Sequence, residues 1–290
     1  MASRRPFLRC VLHGNLSSGK STLLKNLAMV GDKINMSMHP VEENLEEWTS
    51  FTGQETNQKT NILKSIYYNP EQKFENQMFI LSNLMKNYWR ELEKATLSEK
   101  DAIVLERTVE DNLQVFSAGL TKKQVDIARE VADQLVRNDH GRYHDFDLIF
   151  YLRSSPEKCF ERLKKRNREG EELITLNDLN KLHVFYEKWW LDRDFFPETC
   201  ARRSESIDAD RSPKEVCKNI ILEMVADLNR KKCPQSYEIT SLAAPELVPL
   251  IKEMEDREMW HGLTYGKDRN ELSLDQVAKT IDLIPEIEFY

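Results

Sequence analysis

Short apolar runs alternate with long amphipathic stretches along this chain. Phe7–His13 (FLRCVLH) is apolar and rich in β-formers, and it ends at Gly14. Just beyond, Leu23, Leu24, Leu27 and Val30 recur on one face at helical spacing. Ala102–Glu106 (AIVLE) and Leu148–Leu152 (LIFYL) are apolar almost throughout, as strands buried on both faces of a sheet are. Between and after them the spacing predicts helices over Glu71–Glu93, Lys122–Arg137, Pro156–Arg166, Leu176–Trp190 and Pro213–Arg230, with a last strand at Ser204–Asp208. Alternation of this kind predicts an α/β domain on a parallel sheet, with ligands beyond the carboxyl ends of the strands. Past Lys232 the pattern changes to apolar residues mixed with acidic ones. We therefore divide the chain into a domain over residues 1–231 and an extension over 232–290 with no assigned role. Helical spacing at Leu247, Leu250, Ile251 and Met254 predicts that part of the extension packs on the body or on a partner subunit.

Composition narrows the class. At 290 residues, 40% hydrophobic and 31% charged, the chain reads as globular, with length enough for a sizeable core. A net charge of −7 argues against a general nucleic-acid partner. No run of apolar residues is long enough to span a membrane. The slightly basic start (MASRRPFLRC) runs straight into the first expected strand, leaving little room for a targeting peptide. A cytoplasmic address is expected, with a nuclear or mitochondrial one left open. Five cysteines without C-x-x-C spacing predict reduced thiols.

The sharpest motif follows the first strand. Gly14-Asn15-Leu16-Ser17-Ser18-Gly19-Lys20-Ser21-Thr22 fits G-x-x-x-x-G-K-[ST]. Such glycines let the backbone aim several N–H groups at one phosphate, and the following helix adds its positive end. Lys20 supplies a cation for the β- and γ-phosphates of a triphosphate, and Ser21 a hydroxyl for Mg²⁺.

Other candidates are individually weaker. Glu106-Arg107-Thr108 ends a strand beside the loop, where the carboxylate reaches a metal or its water and the arginine meets phosphoryl charge. A surface ion pair would look the same. Glu42, Glu43, Glu46 and Glu47 crowd one segment, and spacing alone does not choose a general base among them. Gln77 lies at the edge of the apolar stripe Phe74, Met78, Leu81, Met85 and Tyr88. Its amide either satisfies backbone or pairs with the edge of a base. Arg162, Arg166 and Arg168 form either a solvated charged turn or a lid over a triphosphate.

Taken together, these residues resemble the deoxynucleoside kinases of the deoxycytidine, deoxyguanosine and mitochondrial thymidine kinase group, over about residues 6–231. The GN-x-x-x-GKST loop is typical of that family. Glu43–Trp48 matches its E-P-V-x-x-W motif, with Asn44 and Leu45 in place of Pro-Val, and Glu106-Arg107-Thr108 its E-R-S. From Cys159 to His183 the spacing equals the family's lid segment without a gap. The resemblance implies a P-loop kinase fold: a five-stranded parallel sheet with helices on both faces, an arginine-rich lid, and a homodimer. It selects Glu43 as general base and implies ATP as donor, a deoxynucleoside as acceptor, and Mg²⁺ held by Ser21 and Glu106. Arg162, Arg166 and Arg168 fall on the lid arginines, and Arg211 in the loop against the donor adenine. Gln77 falls on the base-reading glutamine, Phe116 on the ring that packs on the base, and Glu171 with Tyr67 on the groups at the sugar 3′-hydroxyl. Tyr68 is an alternative to Tyr67, because that segment is one residue short.

Base choice turns on Ile80, Leu84 and Asn112. Relatives that take deoxycytidine or purines carry Arg and Asp where Leu84 and Asn112 stand. An apolar residue at 84 resembles the thymidine-accepting members, so thymidine is expected, with deoxycytidine also accepted. Asn112 fits neither pattern, and Asp111 is an alternative for its place. Two rival readings are a thymidylate kinase, which would need a basic clamp for an acceptor phosphate, and a catalytically silent kinase-like subunit of the kind found in respiratory complex I.

Overall fold

The computed structural model describes residues 7–55, 57–136, 146–191, 201–232 and 273–286. Strand β1 (Leu8–Gly14) leads through the glycine-rich loop into helix α1 (Lys20–Lys33), and β2 (Met38–Val41) into the short α2 (Leu45–Thr49). A small hairpin of β3 (Phe51–Thr52) and β4 (Lys59–Thr60) precedes α3 (Ile62–Tyr68) and the long α4 (Lys73–Leu97). Then follow β5 (Ala102–Glu106), the one-turn α5 (Val109–Asp111) with a π-type turn over Asn112–Phe116, and α6 (Lys122–Val136). The remainder is β6 (Phe146–Arg153), α7 (Pro156–Arg166), α8 (Leu176–Leu191), β7 (Ala201–Asp208), α9 (Pro213–Lys232) and α10 (Leu274–Leu283).

Five strands form one parallel sheet in the order β2-β5-β1-β6-β7, as the alternating pattern predicts. Residues of β1 divide between two layers. Cys10 and Leu12 face a core with Leu24 and Leu27 of α1 and Ile220, Ile221 and Met224 of α9. Val11 faces the other side, with Tyr88 and Ala95 of α4. Helices thus cover both faces, which is why the strands read as unbroken apolar runs. The carboxyl ends of β1, β2 and β5 lie side by side and deliver the phosphate loop, Glu43 and Glu106-Arg107 to one edge of the sheet.

Among the features that escaped the pattern, three stand out. The hairpin's strands are two residues each, too short for a periodic signal. The π-type turn over Asn112–Phe116 has no sequence signature of its own. Most consequential is α10, in the expected extension: Val277, Ile281 and Ile284 are buried in the same core cluster as α1 and α9. Residues Leu247, Leu250, Ile251 and Met254, where helical packing was expected, lie outside the described residues, as do Cys200 and Cys233. Cys10, Cys159 and Cys217 are buried free thiols. No described helix is long and apolar enough to cross a membrane.

Candidate active site

The phosphate loop is shaped by two glycines with different jobs. Gly14 has φ +152°, and a Cβ there would meet Ser18 Oγ at 2.7 Å and the Leu152 carbonyl oxygen at 2.8 Å. Gly19 has room for a Cβ but holds φ +100°, a left-handed conformation costly to other residues. Lys20, the first residue of α1, donates from Nζ to the carbonyls of Gly14 and Asn15, 2.9 Å each, so its ammonium lies across the loop. The hydroxyls of Ser17 and Ser18 are buried and lack hydrogen-bond partners among the described residues. Unpaired buried donors on a loop of this shape fit an anion carrying several acceptor oxygens. Asn15 plays a structural part: Nδ2 donates to the Leu179 carbonyl and Oδ1 accepts from the Leu16 amide, tying the loop to α8.

Arg107, directly after β5, sits at φ +71°, which a non-glycine residue adopts only where its surroundings compel it. Its Nη1 lies 2.9 Å from Glu43 Oε1, and its guanidinium stacks on Phe116, 3.4 Å from the ring centroid. Burial alone would weaken its charge, but Glu43, Tyr186, Asp111 and Tyr67 together hold its pKa above the ordinary value. The π-type turn carries Phe116 over the arginine. Glu106 Oε1 accepts from Ser21 Oγ at 3.0 Å. Burial, reinforced by the nearby Glu43 carboxylate, pushes Glu106 up to about 7 despite Lys20, Ser21 and Arg107. Two crowded carboxylates beside a phosphate loop, one of them strained toward neutrality, are relieved by a cation. The donor set therefore fits a divalent metal.

Leu16, Ser17, Lys20, Ser21, Glu43, Trp48, Tyr67, Gln77, Ile80, Glu106, Arg107, Phe116, Arg166, Arg168 and Glu171 line a single pocket. Most expected site residues therefore converge on it. Leu63 and Ile66 also line it and had not been singled out, although they share a face of α3 with Tyr67. Tyr67 is in the wall, and burial lifts it to about 12. Tyr68 is half exposed beside Lys64, which removes it as the alternative.

Outside the phosphate loop, four expected site residues sit elsewhere. Leu84 packs behind Ile80 and Trp48 instead of lining the pocket. Asn112 is likewise behind the wall, with Nδ2 donating to Gln77 Oε1 at 2.9 Å, so it orients the amide. Arg162 donates to the carbonyls of Ser18 and Ala209 and to Ser154 Oγ, supporting the loop from outside the pocket. Arg211 is exposed and paired with Asp208. Asp111 is no substitute for Asn112. Fully buried, it accepts from the Thr108 amide and from His13 Nδ1 on Oδ2, and from the Tyr186 hydroxyl on Oδ1. Glu171, buried, takes both carboxylate oxygens to Arg166 at 2.7 Å, with Arg168 at 3.4 Å.

Comparison with known proteins decides the family. The deoxynucleoside kinase family model matches residues 10–226. This chain belongs to the deoxynucleoside kinase family. The kinase is 29% identical to mouse deoxycytidine kinase over 199 residues, covering 63% of this chain and 75% of that one. It is 27% identical to human mitochondrial thymidine kinase 2 over 237 residues, covering 78% and 80%. Among solved structures, Mycoplasma mycoides deoxyadenosine kinase with bound dATP shares the fold, with a TM-score of 0.54 at 20% identity over 75% of this chain and 99% of that one. The match stops at residue 226, so α10 lies beyond what the family model describes.

Proposed function

We propose that this kinase transfers the γ-phosphate of ATP to the 5′-hydroxyl of a deoxynucleoside, with pyrimidines favoured. The observation that carries the reading is the convergence of Lys20, Glu43, Glu106 and Arg107 on one pocket that Trp48, Gln77, Ile80 and Phe116 also line. The phosphate loop takes the donor, and Lys20 meets the β- and γ-phosphates. Glu43 accepts the 5′-hydroxyl proton as that oxygen attacks the γ-phosphorus, and the γ-phosphoryl leaves ADP. Arg107, already buried and charged, stabilises the transferring phosphoryl without needing to move. Ser21 and Glu106 are the residues that would hold Mg²⁺, which when bound neutralises phosphate charge. Gln77 reads the base, Phe116 and Trp48 flank it, and Tyr67 with Glu171 holds the sugar. Arg166 and Arg168 belong to the lid, which closes over the phosphates and excludes water.

An acceptor monophosphate fits poorly. Lys20, Arg107, Arg166 and Arg168 are the basic residues of the pocket lining among the described residues, and all four are assigned to the donor and the transferring phosphoryl, which leaves none for a second phosphate on the acceptor side. Ile80 in the wall, backed by Leu84, narrows the base slot and favours one ring over two. An assay of ATP against thymidine, deoxycytidine, deoxyadenosine, deoxyguanosine and thymidine monophosphate tests this. The expected order is pyrimidine nucleosides above purines, with the monophosphate inert; faster turnover of a purine or of the monophosphate overturns it. The family resemblance also implies a homodimer, to be checked by sedimentation equilibrium.

A further inference from the structure

Helix α10 ends against the start of α9. Lys214, the second residue of α9, donates from Nζ to the carbonyls of Asp282 at 2.9 Å and Ile284 at 2.6 Å. Lys218, one turn on, holds both Asp282 carboxylate oxygens at 2.6 and 2.8 Å. A lysine in the first turn of a helix is unfavourable, since that end carries the positive pole of the dipole. Here the ammonium is aimed at the carbonyl end of another helix, where a cation is favoured. The placement makes sense only if α10 is docked.

The junction continues toward the phosphate loop first along the covalent chain through Ser212 and then through hydrogen bonds. Ser212 caps α9, exchanging hydrogen bonds with Glu215. Ahead of it lies a turn held on both sides: Ser154 Oγ donates to Asp210 Oδ1 at 2.7 Å, and the Ala209 amide to the Arg153 carbonyl at 2.9 Å. Arg162 then joins this turn to the loop, donating to the carbonyls of Ala209 at 3.2 Å and Ser18 at 3.4 Å. The tail helix, the 208–212 turn and the backbone of the phosphate loop are one connected scaffold on the donor side. No bond in this set reaches Gln77, Tyr67 or Glu171.

We infer that α10 is a brace for the donor half of the site, and that Lys214 and Asp282 are positioning residues that set the affinity for ATP through the 208–212 turn and Arg162. The inference rests on the proposed use of the loop for ATP. Its consequence is selective: loosening the brace weakens ATP binding and spares the nucleoside.

The test uses the full chain carrying Lys214→Met, Asp282→Asn or Lys214→Arg. Calorimetric titration with ATP reads the donor site without turnover, and steady-state kinetics reads both substrates. Lys214→Met and Asp282→Asn are expected to weaken ATP binding and raise KM for ATP about two- to fivefold, the range for breaking a partly exposed charged contact. KM for the nucleoside and kcat at saturating ATP stay within error, and Lys214→Arg restores most of the loss. Unchanged ATP affinity in both variants overturns the brace. So does a parallel rise in both KM values accompanied by a lower Tm, which would make α10 merely structural. Asp282→Asn, at the surface, keeps the question open to test if Lys214→Met folds poorly. A wild-type chain that binds ATP yet phosphorylates no nucleoside would count against the proposed function and leave the brace standing.

Discussion

Arg107 holds a left-handed backbone that costs on the order of 1–3 kcal/mol. Its environment compensates through the Glu43 ion pair, the stacked Phe116 and the Asp111 carboxylate that clamps the next turn. Asp111 is fully buried, and burial alone would raise its pKa. His13, Arg107 and the Thr108 amide outweigh that and hold it below the usual carboxylate range. A lowered carboxylate pKa contributes stability above the unfolded pKa, and that stability is lost as pH falls through the folded value. Asp111→Asn should therefore destabilise the protein by about 3 kcal/mol at neutral pH, the cost of leaving the buried groups bonded to this carboxylate without their charged acceptor. The gap from wild type should shrink on acidification below pH ~4, as urea titrations at several pH values would reveal. On the proposed function Asn112 acts one step from the ligand, through Gln77. Asn112→Ala removes the partner of Gln77 and should raise KM for the nucleoside about five- to tenfold, the worth of one hydrogen bond. KM for ATP should not move; if it does, Asn112 does more than orient Gln77.

Apolar runs bounded by turns announced β1, β5 and β6, because strands covered on both faces have no polar side to blur the signal. Helices α4, α6, α8 and α9 were legible from their stripes to within a few residues. Lys20 was legible from the phosphate-loop motif, and Glu106 and Arg107 because they sit where a parallel strand ends. What was not legible is contact across the sequence: that Asn112 reaches back 35 positions to Gln77, or that Arg162 leaves the pocket to hold Ser18 and Ala209. Family spacing placed Arg162, Leu84 and Asn112 near the site, but it does not say which way a side chain points. Helix α10 was missed for another reason. Its apolar face is only Val277, Ile281 and the following Ile284, within a segment whose composition looked like a tail. Ile281 is fully buried, so Ile281→Ala should cost about 2–4 kcal/mol in chemical denaturation. A loss near zero would mean that α10 does not belong to the core.

On the proposed function the molecule as a whole combines a donor half fixed by the sheet edge with an acceptor half assembled from α3, α4 and the π-type turn. The phosphate loop, Arg162 and the 208–212 turn form the first, and the brace inferred for the C-terminal helix acts on it. Tyr67, Gln77, Ile80 and Phe116 form the second. On the proposed function Glu43 and Arg107, joined at 2.9 Å, stand where the halves meet, and transfer requires both to be filled. The central claim is that the Glu43 carboxylate drives transfer to a nucleoside hydroxyl. Single-turnover transfer from ATP to thymidine in wild type and Glu43→Gln tests it most directly. The account predicts a rate about 10²–10⁴-fold lower in the variant, with ATP affinity unchanged. A Glu43→Gln enzyme that phosphorylates thymidine at the wild-type rate would contradict it.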